Sequence, residues 1–220
     1  MLISLNDVKN LWAKYGLRGL SVPSLLNSVA HVGGHYAEEL DDYLLGGLQK
    51  IDIFEPLQVN CQVIREVMGR LPVWHKEKVK LHEVALGSNT TWVVQRPMYV
   101  SSNEAQSSSL LKPTHHSVQY PHITFQEGET VTVMPLDSYK LSPDLLAMDT
   151  QGYELEVLKG ATETLKSVKV VYTEVSNVPL YEGSALVDDI DEFLQPYGFK
   201  RVRTDWVGGT WGDAVYVRIP

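Results

Sequence analysis

Leu145–Ala161 reads LLAMDTQGYELEVLKGA, and this stretch decides the fold. Four apolar residues, Leu145-Leu146-Ala147-Met148, run straight into an acid, Asp149. A polar turn follows at Thr150-Gln151-Gly152, and then Leu155, Val157, Leu158 and Ala161 recur near helical spacing. A buried strand is delivering a carboxylate to its carboxyl end, just before a glycine turn and a helix. In open α/β sheets ligands bind at that edge. Further back, Ser28–Val32 is another short strand, running into Gly33-Gly34-His35. The two strand ends bring glycines and an acid to what should be one edge.

The rhythm between and around these points is alternating. A helix over Glu38–Leu48 is closed by Gly46-Gly47, and a strand over Ile51–Phe54 ends in Glu55-Pro56. A helix over Val59–Met68 and a strand over Val79–Leu86 come next. Then the rhythm breaks. Residues 89–126 hold no strong helix, a serine-rich piece and three histidines, His115, His116 and His122. So long a loop inside a compact domain is functional or disordered. Strand-like pieces at Thr91–Gln95 and His122–Phe125 suggest that its ends are tied to a sheet. After a strand at Thr130–Met134 the alternation returns. It runs from strand Leu145–Met148 through helix Glu154–Leu165, strand Lys169–Val175, helix Asp188–Tyr197 and strand Phe199–Thr204 to strand Ala214–Ile219. Alternating strands and helices imply an α/β fold, a mainly parallel sheet with helices on both faces. The last two strands are joined without a helix, which predicts an antiparallel hairpin at one edge. Residues 1–24 read as one or two short helices closed by Pro23, ahead of a single domain over 25–220. There are no internal repeats.

Composition bounds the function classes. A chain of 220 residues with 44% apolar and 21% charged residues can bury an ordinary soluble core. No apolar run approaches membrane-spanning length. Asn6, Asp7 and Lys9 interrupt the start, so it does not read as a secretory signal. Cys61 is the only cysteine, which excludes an intrachain disulfide and cysteine-rich zinc sites and fits a reducing, cytoplasmic setting. A net charge of −8 argues against a nucleic-acid partner.

Several residues carry candidate chemistry. Gly33 and Gly34 let backbone approach a ligand, or simply make a tight turn. Glu55 lies 22 residues after Gly33, near the spacing at which an acid meets a ribose hydroxyl. It could equally cap the next helix. Asp149 could be a general base, a metal ligand or a cap. Glu174 repeats its arrangement on the next strand, so the two acids could hold a divalent cation through oxygen ligands or form a plain charge network. His115 and His116 sit in the long loop as candidate acceptor-side bases. Trp206, Trp211, Asp213 and Tyr181 suggest a sugar-facing wall, or hairpin decoration.

In this order, the blocks AHVGGHYAEE, IFEP, VALG, QSSSLLKPTH, MPLDSY, MDTQGYELEVLKGA, YTEVSNVPLYEG and WGDAVYV resemble the FkbM family of methyltransferases. The resemblance runs from about Val29 to Val217, and MDTQGYELEVLKGA is its most specific part. Gly34 stands where the family usually has alanine, and Ala37 where it usually has glycine. The resemblance implies a Rossmann-like class I methyltransferase fold, S-adenosylmethionine as donor, and O-methylation, with glycans and secondary metabolites among the acceptors. On it, the cofactor residues are His31, Gly33, Gly34, Glu38, Glu55, Ala85, Asp149 and Gln151. The catalytic candidates are Asp149, Glu174, His115 and His116. The acceptor residues are Ser108, Ser109, Tyr181, Trp211 and Asp213, with residues 89–126 as a lid and a sugar hydroxyl as the expected acceptor. Two alternatives share the strand–glycine–helix. One is a nicotinamide-dependent oxidoreductase, which would normally show a third spaced glycine. The other is a carbohydrate-binding or scaffold domain that has lost its chemistry.

Overall fold

A computed structural model describes residues 2–16, 26–88 and 93–219. The expected pieces around Pro23 and Thr91 therefore lie outside the described residues. The elements are α1 (Leu5–Tyr15), β1 (Ser28–Val32), α2 (Leu40–Leu45), β2 (Lys50–Phe54), α3 (Gln58–Arg70), α4 (Val73–Lys76), β3 (Val79–His82), β4 (Ala85–Leu86) and β5 (Val94–Ser101). They continue with α5 (His115–Gln119), β6 (Phe125–Met134), β7 (Leu145–Met148), α6 (Glu154–Lys159), β8 (Val170–Ser176), α7 (Val187–Leu194), β9 (Phe199–Val207) and β10 (Trp211–Arg218).

The main sheet has seven strands in the order β3-β2-β1-β7-β8-β10-β9. Its first five strands pair in parallel, and β10 runs antiparallel to both β8 and β9. The expected parallel sheet with an antiparallel edge hairpin is therefore the observed one. β7 carries no exposed residue because it is sandwiched, with Leu146 and Met148 facing one core and Leu145 and Ala147 the other. α6 and α7 cover the first face, and α1, α2 and α3 cover the second. The order in which strands are added reverses between the parallel neighbours β1 and β7, which is where an open α/β sheet leaves a crevice.

Three differences from the sequence reading have physical causes. The expected strand Val79–Leu86 is two strands. The chain turns at Val84, whose N–H donates to His82 O, and Ala85–Leu86 leaves the main sheet to pair in parallel with Val133 and Met134. The expected loop over 89–126 is mostly folded. β5 and β6 form an antiparallel ribbon that joins β4 in a second, three-stranded sheet, and α5 holds two of the three loop histidines, His115 and His116. The helix expected from Glu38 begins only at Leu40, because His35 (φ 42°) and Ala37 (φ 60°) sit in the left-handed region and make a tight turn first.

The N-terminal segment packs into the domain. Ser4 caps α1 by accepting from the Asp7 N–H at 3.2 Å. Ile3, Val8 and Trp12 are buried in the core that contains Val29, Leu145 and Tyr172. No helix among the described residues is long and apolar enough to cross a membrane.

Candidate active site

Strand alternation builds the site. Side chains two apart share a face, so Val29 and His31, Leu145 and Ala147, Val170 and Tyr172, and Val215 and Val217 all point to the α1 side. Carried to the carboxyl edge, the same alternation places Asp149, Glu174 and Asp213 on that side. Register supports this: Asp213 pairs with Glu174, and Met148 pairs with Thr173 just before Asp149 and Glu174. Three acids thus line up across three adjacent strands.

Two cavities meet there. The first, about 620 Å³ with its mouth, lies at the ends of β1 and β2 and is walled by Phe54, Leu57, Val84, Ala85, Leu86 and Met98. Glu55 and Asn60 supply its polar floor. The second, about 1300 Å³ with its mouth, is lined by Leu2, His31, Glu38, Glu39, His116, Tyr120, Glu174, Trp211 and Asp213. Gly33, His35, Gln106, Asp149 and Gln151 line both. Asp149 is the only carboxylate at that junction among the described residues.

Glu55 is held by three donors. Its Oε2 accepts from the His35 N–H at 2.9 Å, and its Oε1 from the Leu57 N–H at 2.9 Å and from Asn60 Nδ2 at 3.2 Å. Burial nevertheless pushes its pKa up to about 7. Asn60 Oδ1 is buried with no hydrogen-bond partner among the described residues. Such an atom at a cavity wall fits a site that receives a donor-bearing ligand.

Gln151 clamps the acids together. Its Nε2 donates to Asp149 Oδ1 at 2.8 Å and to Glu174 Oε2 at 3.0 Å, and its Oε1 accepts from the Tyr181 hydroxyl at 2.8 Å. Gln151 has φ 54°, a conformation an L-residue adopts only when its surroundings hold it. Glu154 folds back so that its Oε1 accepts from the Thr150 N–H (2.8 Å), the Thr150 hydroxyl (3.0 Å) and the Gly152 N–H (3.2 Å). Oxygens of Asp149, Glu154 and Glu174 all lie within 4.8 Å of one another. Burial raises all three, Asp149 to about 6, Glu154 to about 7 and Glu174 well above the ordinary range, with mutual repulsion adding to it. The set suits oxygen coordination of a divalent cation. The donors already on Asp149, Glu154 and Glu174 equally sustain it as a proton-sharing network.

These shifts fix the sign of a pH dependence. A carboxyl whose folded pKa exceeds its unfolded value stabilises the fold at low pH and loses that contribution as pH rises through the folded value. His31 and His116, which burial lowers, act oppositely below about pH 6.5. Ligand-free protein should therefore lose stability from about pH 6.5 to 8.5, with Glu55, Glu154 and Glu174 all contributing to the fall. Urea midpoints across that interval measure it, and a flat or rising profile would contradict the raised carboxyls.

The structure redistributes several expected site residues. Gly33 and Gly34 do not offer their N–H groups to a ligand, since both donate to Phe54 O. Gly33 is needed because the turn after β1 runs close against the residue that ends β7: with φ 83°, an added Cβ would lie 1.8 Å from Asp149 O. Ala37 at φ 60° explains the glycine that the FkbM pattern usually has there. His31 and Glu38, expected on the cofactor side, line the second cavity, whereas Ala85 lines the first. His115 is exposed and lines neither cavity, while its neighbour His116 is buried beside Tyr120, Phe125 and Tyr181. Ser108 lines the first cavity instead of the second. Ser109 is fully buried and donates to Gln151 O at 2.8 Å, so it anchors the insertion. Tyr181 is buried behind Gln151, and Trp206 lies outside both cavities. Trp211 and Asp213 line the second. The sequence pattern does not single out Glu154, Asn60 or Tyr172. An acid two residues beyond Gly152 and an asparagine in the first turn after Glu55-Pro56 were the available signals.

The profile of the methyltransferase FkbM domain matches residues 29–201. The 2-O-methyltransferase NoeI of Sinorhizobium fredii is 30% identical over 152 residues, which are 66% of this chain and 60% of that protein. This chain thus matches less than two thirds of that relative's length. A crystal structure of methyltransferase FkbM from Methylobacillus flagellatus superposes with a TM-score of 0.59 at 17% identity, over 94% of this chain and 47% of that one. The Streptococcus pneumoniae protein Sp1610, described as a tRNA (m1A22) methyltransferase and solved in complex with S-adenosyl-L-methionine, gives 0.50 at 14% identity, over 99% and 73%. At these identities the two structures speak to the fold, which is that of Rossmann-like methyltransferases. The family match favours methyl transfer over nicotinamide chemistry.

Proposed function

The chain belongs to the FkbM methyltransferase family, and on that premise we propose that it transfers a methyl group from S-adenosylmethionine to a hydroxyl of a neutral sugar unit. The observation that carries this reading is the junction at Asp149, one carboxylate shared by an apolar-walled cavity and a polar one. The first cavity suits a nucleoside: apolar walls for a base, and Glu55 with the orphaned Asn60 Oδ1 for hydroxyl and amino donors. When bound, the donor supplies a methyl already activated by its sulfonium. The protein's part is to orient the acceptor oxygen and to take its proton. Asp149, with a pKa near 6, is ionised at neutral pH and suits that task. Gln151 fixes its orientation, and Glu174 shares the network.

The second cavity supports the acceptor class. Five acids line it, Glu38, Glu39, Asp149, Glu174 and Asp213, and no lysine or arginine does among the described residues. Anionic acceptors would meet like charge at close range. Hydroxyls can donate to these carboxylates, and Trp211 and Tyr120 offer ring surface to a sugar face. The same lining disfavours a phosphodiester. The relative's name as a 2-O-methyltransferase is consistent with this choice.

The test is transfer of labelled methyl to a panel of neutral methyl glycosides with a free 2-hydroxyl, the methyl glycoside of a uronic acid with its carboxylate free, a sugar phosphate and a simple catechol. Neutral glycosides are expected to be methylated and the two anions not, by about tenfold or more in kcat/KM. Turnover should survive exhaustive chelation, because hydrogen-bond donors already serve the acid cluster. Methylation of a protein, lipid or nucleic acid with none on any glycan would overturn the sugar assignment.

A further inference from the structure

We infer that the N-terminal segment is a working wall of the acceptor cavity, and that Tyr172 is a positioning residue that holds Asp213 through it. The inference rests on reading the second cavity as the acceptor site. Leu2 lines that cavity, and its backbone N–H donates to Asp213 Oδ2. The Ile3 N–H donates to the Tyr172 hydroxyl oxygen at 2.9 Å, and the Tyr172 hydroxyl donates to the same Asp213 Oδ2. The three groups close a circuit between the start of the chain, the middle of β8 and the start of β10. Among the described residues, the hydrogen bonds to Asp213 fall on Oδ2 alone, which leaves Oδ1 for an incoming hydroxyl.

The circuit is anchored from behind. Ile3 is 2% exposed and packs with Val8 and Trp12 into the core that contains Tyr172 itself. Burial and the neighbouring Asp213 keep the Tyr172 phenol protonated, so it stays a donor. A carboxylate gripped by two donors on one oxygen has one orientation available. Without the segment, Asp213 would lose one donor directly, and the Tyr172 hydroxyl would lose the N–H that fixes its direction. None of Leu2, Ile3, Tyr172 or Asp213 lines the first cavity. The segment therefore acts on acceptor recognition and leaves donor binding alone.

Tyr172→Phe in the full chain tests this. It removes one oxygen and keeps the ring in the core. Calorimetry with S-adenosylhomocysteine should give a Kd within about twofold of wild type. KM for the panel compound that wild type methylates fastest should rise by about tenfold, with kcat changing less, the scale of one lost hydrogen bond to a charged group. Amide hydrogen exchange at Leu2 and Ile3 should quicken by a similar factor. Asp213→Asn should show the same split, and the double variant should cost no more than the worse single one, because the residues act through each other. An unchanged KM, an equal loss of donor affinity, or additive losses would overturn the inference. If wild type uses the catechol and no glycoside, the sugar reading fails, and the KM comparison is decided on the catechol.

Discussion

Asp149→Asn is expected to lower methyl transfer by about 10²–10⁴-fold, the usual contribution of a positioned proton acceptor, and at the same time to raise stability above about pH 6. The two effects have one cause. Asparagine keeps the shape and a carbonyl oxygen that can still accept from Gln151 Nε2, so the clamp survives. It removes the charge that would take the acceptor's proton. It also removes one of three acids whose oxygens lie within 4.8 Å of one another, so Glu154 and Glu174 ionise against less repulsion. A purely structural cap would behave in the opposite way, with turnover retained and stability unchanged or lower. Single-turnover rates with labelled donor and urea midpoints at about pH 8 measure the two limbs. Retained turnover would reduce Asp149 to a cap, and lost S-adenosylhomocysteine binding would move its role to the donor side.

That prediction depends on a residue the sequence displays openly, and the reason is physical. Leu145–Met148 is buried on both faces, so it reads as a continuous apolar run, and an acid directly after such a run stands out. Glu55 was legible through its distance from Gly33. The main sheet was legible because β1, β2, β7 and β8 are each followed by a helix. What stayed hidden depends on contacts distant in sequence. Ala85–Leu86 is too short to announce a separate strand, and its partner, Val133–Met134, lies far along the chain. His115 and His116 are indistinguishable as letters, yet the register of α5 exposes one and buries the other. Ser109 and Tyr181 read as ligand groups because both are polar, and the structure spends both on holding Gln151. Glu154 looks like an ordinary first-turn acid until the Gly152 turn folds Thr150 onto it. The link from Leu2 to Asp213 joins the two ends of the chain, which no local pattern can reveal.

Glu55→Ala is expected to weaken binding of S-adenosylhomocysteine by about 1–3 kcal/mol, the cost of leaving buried hydrogen-bonding groups unpaired. Glu55 sits at the end of β2 on the wall of the first cavity, 4% exposed. Three protein donors hold it, from His35, Leu57 and Asn60. Alanine would strand all three along with any ligand hydroxyl, so the loss of affinity must be separated from a loss of fold. Glu55→Gln serves for that. It keeps an acceptor oxygen, and it turns an amide N–H₂ toward one of the backbone donors. It should fold, as checked by its thermal midpoint, and bind the donor product with intermediate affinity. The pH dependence gives a second reading. A ribose hydroxyl donates best to the ionised carboxylate, and burial sets Glu55 near 7. Wild-type affinity should therefore rise as pH climbs from about 6 to about 8 and then level, while the Glu55→Gln profile should be flat over the same interval. Unchanged affinity in Glu55→Ala would sink the ribose assignment. Parallel pH profiles in wild type and Glu55→Gln would instead trace the dependence to Asp149 and the acid cluster next to it.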